Sequence, residues 1–197
     1  MVLKTIINFP QRGIKMKKAF FFWFISLIIS FTLFNCSKQE TSTDPPAPIC
    51  DQACQDEHVA YGLIDIFWFV WNQNISGQPA GAKDFTVAGP QGGTIHVTGT
   101  TEVSASTGIN TLHLVLVMSD CKGLKEKYNL TINGTVTADG TFSTTHKAIT
   151  YASQQLGYTG TVGKDDWVTN VTGTCNVTVN ETFSSVSGTF CNRTFSY

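Results

Sequence analysis

The sequence predicts an α+β fold, with an N-terminal helix packed on a curved antiparallel β-sheet of seven or eight strands. Three observations carry that prediction. Residues 63–71 (LIDIFWFVW) are apolar almost all round and follow a polar opening. From Phe85 onward, apolar residues alternate instead with Thr, Asn and His. Clusters of Gly, Asn and Asp interrupt that alternation at short intervals with no helical stretch between them, which implies hairpins rather than crossovers.

The helix is expected over residues 51–72. Cys50, Cys54 and His58 fall four apart, and the polar opening lacks the period of two that a strand needs. Asp51, Asp56 and Glu57 lie toward its N-terminal end, where negative charge suits the macrodipole. A helix apolar on most sides is buried on most sides. Residues 72–81 (NQNISGQPAG) then supply the turn residues that stop it.

Strands follow around Ile95 and Val97, Leu112 to Met118, Tyr128 to Ile132, and Val171 to Val179. Turns are expected at residues 89–93, 106–110, 138–140, 163–166 and 180–184. A Gly-Thr pair recurs at Gly99, Gly134, Gly160, Gly173 and Gly188. Alternation puts Gly99, Gly134 and Gly173 on the apolar face. There they would bend the sheet and leave room for the rings of Phe67, Trp68 and Trp71. Such room would suit a small apolar ligand held between helix and sheet; a filled core is the plainer use of the same residues.

Residues 19–34 (AFFFWFISLIISFTLF) form a charge-free run of 16 residues, short of the roughly 20 that a membrane span needs. Lys17 and Lys18 precede it, with Lys4, Arg12 and Lys15 further upstream and no acid before Cys36. That order of parts is a secretory signal, with Met16 its expected start. The run closes on Leu33-Phe34-Asn35-Cys36, which resembles the lipobox of bacterial lipoproteins, although Phe34 and Asn35 stand where that pattern prefers small residues. The resemblance implies cleavage before Cys36, palmitate-type acylation of Cys36, and, through Ser37, a place on the outer membrane of the cell envelope. Each buried methylene of such an anchor contributes about 0.8 kcal/mol. The chain thus divides into residues 1–35 as signal peptide, 36–49 as lipidated cysteine and flexible tether, and 50–197 as a single helix-plus-sheet domain. Residues 37–48 (SKQETSTDPPAP) are too polar to order themselves by burial.

Five of the 13 basic residues fall in the leader and none of the 14 acidic ones does, so the exported part is acidic. That balance excludes nucleic acid as a partner, because such binding rests on Lys and Arg neutralising phosphates. The partners expected are the membrane, through the anchor, and an envelope protein or glycan. After Cys36, the disulfide candidates are Cys50, Cys54, Cys121, Cys175 and Cys191, an odd number that leaves one over. Cys175 and Cys191 have hairpin spacing, yet alternation points them to opposite faces unless a bulge intervenes. A bridge from Cys50 or Cys54 to Cys121 would tie the helix to the sheet. Cys50, Cys54 and His58 are alternatively a metal-ligand set on one helix stripe.

No nucleophile elbow, zinc-protease motif, phosphate loop or dinucleotide fingerprint occurs. Asp165-Asp166 sits in a turn-like context, and His96, His113 and His146 have no acid partner identifiable by spacing. No catalytic residue or cofactor is therefore assigned. The leading expectation is a non-catalytic, membrane-anchored structural or interaction module of the cell envelope. A carrier of a small apolar ligand, and an envelope metal-binding protein or enzyme, are the alternatives.

Overall fold

The helix begins where the sequence offers a cap. Asp51 is extended, and its Oδ1 accepts the backbone N–H of Cys54 at 3.0 Å, satisfying one of the unpaired donors of the first turn. A computed structural model of the chain describes residues 50–123, 128–164 and 167–197. The signal, Cys36, the tether and Asp165-Asp166 lie outside these residues. Helix α1 spans Gln52–Val70 and continues into a π-helical turn, Trp71–Ile75. The helix is therefore not N-terminal in the chain, because it starts only at residue 52. Gly77, at φ 77°, turns the chain away.

Eight strands follow among the described residues: β1 (Gly81–Ala88), β2 (Thr94–Val103), β3 (Asn110–Lys122), β4 (Tyr128–Phe142), β5 (Lys147–Lys164), β6 (Trp167–Thr182), β7 (Val186–Phe190) and β8 (Arg193–Ser196). They form one open sheet in sequence order, every neighbouring pair antiparallel. Short hairpin connections leave no alternative neighbour for most strands.

Residues 138–140 are not a turn but the middle of β4. Gly140 stands opposite Leu112 on one side and Ile149 on the other. Ladders on both sides hold this Ala-Asp-Gly stretch extended, and at φ 152° a Cβ on Gly140 would run into the Ala148 carbonyl. The turn expected from residue 180 also starts later. β6 continues through Thr182, whose N–H donates to the Ser185 carbonyl at 2.9 Å.

The register slips at neighbouring points on successive strands, between Met118 and Cys121, between Asn133 and Thr137, and between Ser153 and Leu156. At the first, Asp120 adopts φ 48° and its N–H donates to Asn133 Oδ1 at 2.7 Å. Bulges bend a strand and increase its twist locally. These form a crease across the middle of the sheet.

One sheet face is apolar and carries α1, which packs on β4, β5, β6 and β8. Val59, Leu63, Ile66, Phe67 and Val70 of the helix are buried, as are Ile95, Val97, Leu112, Leu114, Leu116, Ile132, Ile149, Tyr151, Val177 and Val179 of the sheet. Phe67 sits at the centre, with ring centroids 5.1 Å from Tyr151 and 5.2 Å from Trp68. Phe142 closes the group, meeting Trp68 at 5.2 Å and Trp71 at 4.8 Å, both edge-on. Replacing Phe67 with alanine should lower the unfolding free energy by about 3–5 kcal/mol, since lost transfer and a residual cavity add. A urea titration followed by tryptophan fluorescence measures this; a change below about 1 kcal/mol would show that Phe67 is not central.

Candidate functional site

Two polar groups lock the helix over the apolar face. Glu181 occupies the inward position that follows Val177 and Val179 on β6, and it is 6 % exposed. Trp68 Nε1 donates to both its carboxylate oxygens at 3.1 Å, Tyr151 donates its hydroxyl to Oε2 at 2.7 Å, and Lys147 Nζ donates to Oε1 at 2.8 Å. Lys147 also lies 4.7 Å from the Trp68 ring centroid. Three donors making four contacts leave this carboxylate little capacity for a substrate, so its role is to position. Burial, and then the adjoining Glu181 charge, push the Tyr151 hydroxyl pKa well above its ordinary value near 10.

The second lock joins the helix to β8. Arg193 grips the buried Asp56 with Nε to Oδ2 and a terminal nitrogen to Oδ1, both at 2.8 Å, while Gln52 Nε2 adds a bond to Oδ1 at 3.0 Å. A bidentate pair of this kind fixes orientation as well as charge. Beside it lies a cleft of about 290 Å³ lined by Gln55, Asp56, Tyr158, Asn170, Thr172 and Arg193 among others.

The cysteines pair as Cys50–Cys54 and Cys175–Cys191, and Cys121 is a buried free thiol. The bridge from the helix to Cys121 does not form. The objection to Cys175–Cys191 dissolves because Cys191 leaves its strand: β7 ends at Phe190, and Cys191 and Asn192 take φ 49° and 63° in the two-residue turn before β8. Strand alternation no longer governs it there, and its N–H reaches the Asn176 carbonyl at 3.1 Å. His58 lies beside the first bridge, and the ligand-type atoms of Cys50, Cys54 and His58 are within 4.8 Å of one another.

The rings expected to line a ligand pocket pack instead on each other and on the sheet. Phe67 is 1 % and Trp71 7 % exposed, while Trp68 is partly buried and engaged by Glu181. What crowds the glycines is also not the helix. The nearest atoms to a Cβ on Gly99 or Gly134 would be the backbone of the neighbouring strand, at His113 and Gln155, and Gly173 is covered by the Tyr158 ring.

The face turned away from α1 is different in kind. Strand register aligns Asp84, Thr98, Val115, Thr137, Ala152, Thr178, Thr189 and Thr194 in one row across all eight strands. A second row runs Ala82, Thr100, His113, Asp139, Thr150, Asn180, Ser187 and Ser196. At about 4.8 Å between strands each row extends roughly 34 Å, and neither contains a lysine or arginine. The crease opens a cleft of about 430 Å³ beside the first row, lined by Gly134, Thr135, Thr137, Ala152, Ser153, Gln154 and Gln155.

Sequence spacing missed two dyads on this face. His96 Nε2 meets Asp84 Oδ1, and His113 Nδ1 meets Asp139 Oδ1, both at 2.9 Å. His146 Nε2 pairs with the Thr141 hydroxyl at 2.9 Å. Among the described residues no serine, threonine or cysteine hydrogen-bonds the second ring nitrogen of His96 or His113, so neither dyad extends into the relay of a nucleophilic triad. None of the helices among the described residues is long and apolar enough to cross a membrane. No protein-family model, curated protein or solved structure matches the chain.

Of the groups whose raised pKa makes stability depend on alkaline pH, Cys121 and Tyr151 are fully buried. Burial pushes the Cys121 thiol from its ordinary value near 9 up to about 11, and Tyr151 is raised from 10. Both hold their proton more tightly folded than unfolded, so the unfolded chain ionises first as pH rises. Stability present below pH 9 should therefore decline through the window from about 9 to 11. Denaturation curves across that range check this, and Cys121→Ala should flatten the thiol's share of the slope. Iodoacetamide at pH 8 should leave the Cys121 thiol unmodified until denaturant is added.

Proposed function

We propose that this protein is a non-catalytic interaction module of the cell envelope, moored by lipid on Cys36, with the sheet curved over α1 and its outer face turned to a neutral glycan. The observation that carries the reading is the pair of hydroxyl-rich rows across eight strands. Thr, Ser and Asn side chains both donate and accept, and Thr and Ser lose little rotamer freedom when they do so. They suit a partner that offers hydroxyls at regular intervals, directly or through water. The lack of cations in the rows speaks against a polyanion. The buried rings and the saturated Glu181 account for the helix face as scaffold, which leaves the opposite face for contact.

Retention of the purified chain on immobilised neutral envelope polysaccharide tests the proposal. Thr98→Lys, Thr137→Lys and Thr178→Lys combined should weaken retention at least tenfold while the circular dichroism spectrum stays unchanged. Retention of that variant at wild-type strength would overturn the assigned face. For the anchor, cells fed labelled palmitate should label the wild-type chain and not Cys36→Ser. Label in the variant, or none in the wild type, would remove the mooring from the proposal.

A further inference from the structure

We infer that Cys50, Cys54 and His58 form a redox-gated site for a thiophilic divalent cation such as Zn²⁺, closed while the Cys50–Cys54 bridge is intact and opened by its reduction. The two bridges of this protein are not equivalent. Cys50 and Cys54 are 4 residues apart and Cys175 and Cys191 are 16 apart. Among the described residues, only the first has a third ligand-type side chain, His58, within reach of both sulfurs. Cys54 also lies in the first turn of α1, where the helix N-terminus favours its thiolate as a leaving or resting group. While the bridge is intact both sulfurs are bonded to each other, so reduction is the step that opens this set to a cation.

The step needs a dithiol donor. A donor thiolate attacks Cys54 Sγ, the less buried of the two sulfurs, and the sulfur–sulfur electron pair leaves on Cys50 Sγ, which takes a proton. The donor's second thiolate then attacks the mixed disulfide, frees the Cys54 thiolate and leaves as a disulfide. Two electrons have moved and two thiols exist where one bridge stood.

The backbone that carries these groups does not depend on the bridge. Gln55 Nε2 donates to the Cys50 carbonyl at 3.0 Å, and Asp51 caps the Cys54 N–H. Cys54 and His58 are successive turns of one helix, and helical side chains lean toward the N-terminus, hence toward Cys50. The three ligand atoms lie within 4.8 Å of one another. A tetrahedral zinc site with bonds of about 2.3 Å to sulfur needs ligands about 3.8 Å apart, a distance that small side-chain rotations supply. Two thiolates and a neutral imidazole would balance a divalent charge and leave a fourth position open. The inference is independent of the glycan-facing reading, since the helix lies on the other side of the sheet.

The test uses the full chain and Co²⁺ as a spectroscopic stand-in for Zn²⁺. After limited dithiothreitol treatment and its anaerobic removal, the chain should bind one Co²⁺ with a thiolate-to-cobalt charge-transfer band that Zn²⁺ abolishes. The oxidised chain should show none, and reoxidation of the metal-free reduced sample should remove the capacity, a comparison that needs no variant. Cys50→Ser and Cys54→Ser should lose the band, His58→Ala should weaken binding at least tenfold, and Cys121→Ala should retain it. No band in the reduced wild type, an equal band in the oxidised chain, or a band surviving Cys50→Ser and Cys54→Ser would overturn the inference.

Discussion

The contact between Phe67 and the inward face of β5 is the constraint on which the rest of this structure depends. An open eight-stranded meander has one apolar face that water does not tolerate, and no second sheet covers it among the described residues. Helix α1 is the cover. Its rings fill the space above Tyr151 and Phe142, so the helix and the sheet are each unstable without the other.

Apolar packing alone would let a cylinder slide or rotate on a sheet, and the two polar locks prevent this. Glu181 holds Trp68 near one end of α1, and Arg193 holds Asp56 near the other. Each carboxylate is buried and fully engaged, so a displaced helix would strand a charge in the core. The bulges add a third element of fit by bending β3 to β6 along one line. Stability thereby rests on the packed face, and the hydroxylated rows lie on the face turned away from α1.

Much of the fold was legible in the sequence, because burial writes itself as periodicity. The all-round apolar run at residues 63–71 announced a covered helix, and the period of two from Ile95 onward announced the meander. Ala138-Asp139-Gly140 misled because the same residues serve a hairpin turn and the middle of a doubly paired strand, and only the ladders on either side distinguish them. The cysteine pairing was obscured because alternation holds only inside a strand, and Cys191 has left one. Trp68 with Glu181, 113 residues apart, and Asp56 with Arg193, 137 apart, could not be matched by spacing at all. One signal was available: a carboxylate at an inward position after Val177 and Val179 requires buried donors, so partners had to exist somewhere.

The long separation between these partners has a consequence for biogenesis. The ribosome releases α1 first, whereas the acid that receives Trp68 emerges 113 residues later and the guanidinium that receives Asp56 later still. At about 5–20 residues per second the first interval lasts roughly 6–23 s. Until Phe142 and Tyr151 emerge the nascent chain displays a naked aromatic helix with nothing to sit on, and until Glu181 and Arg193 emerge that helix is not locked. Its maturation is therefore a matter of shielding that helix until the last hairpin arrives, and truncation near the C-terminus would leave an aggregation-prone product rather than a smaller domain.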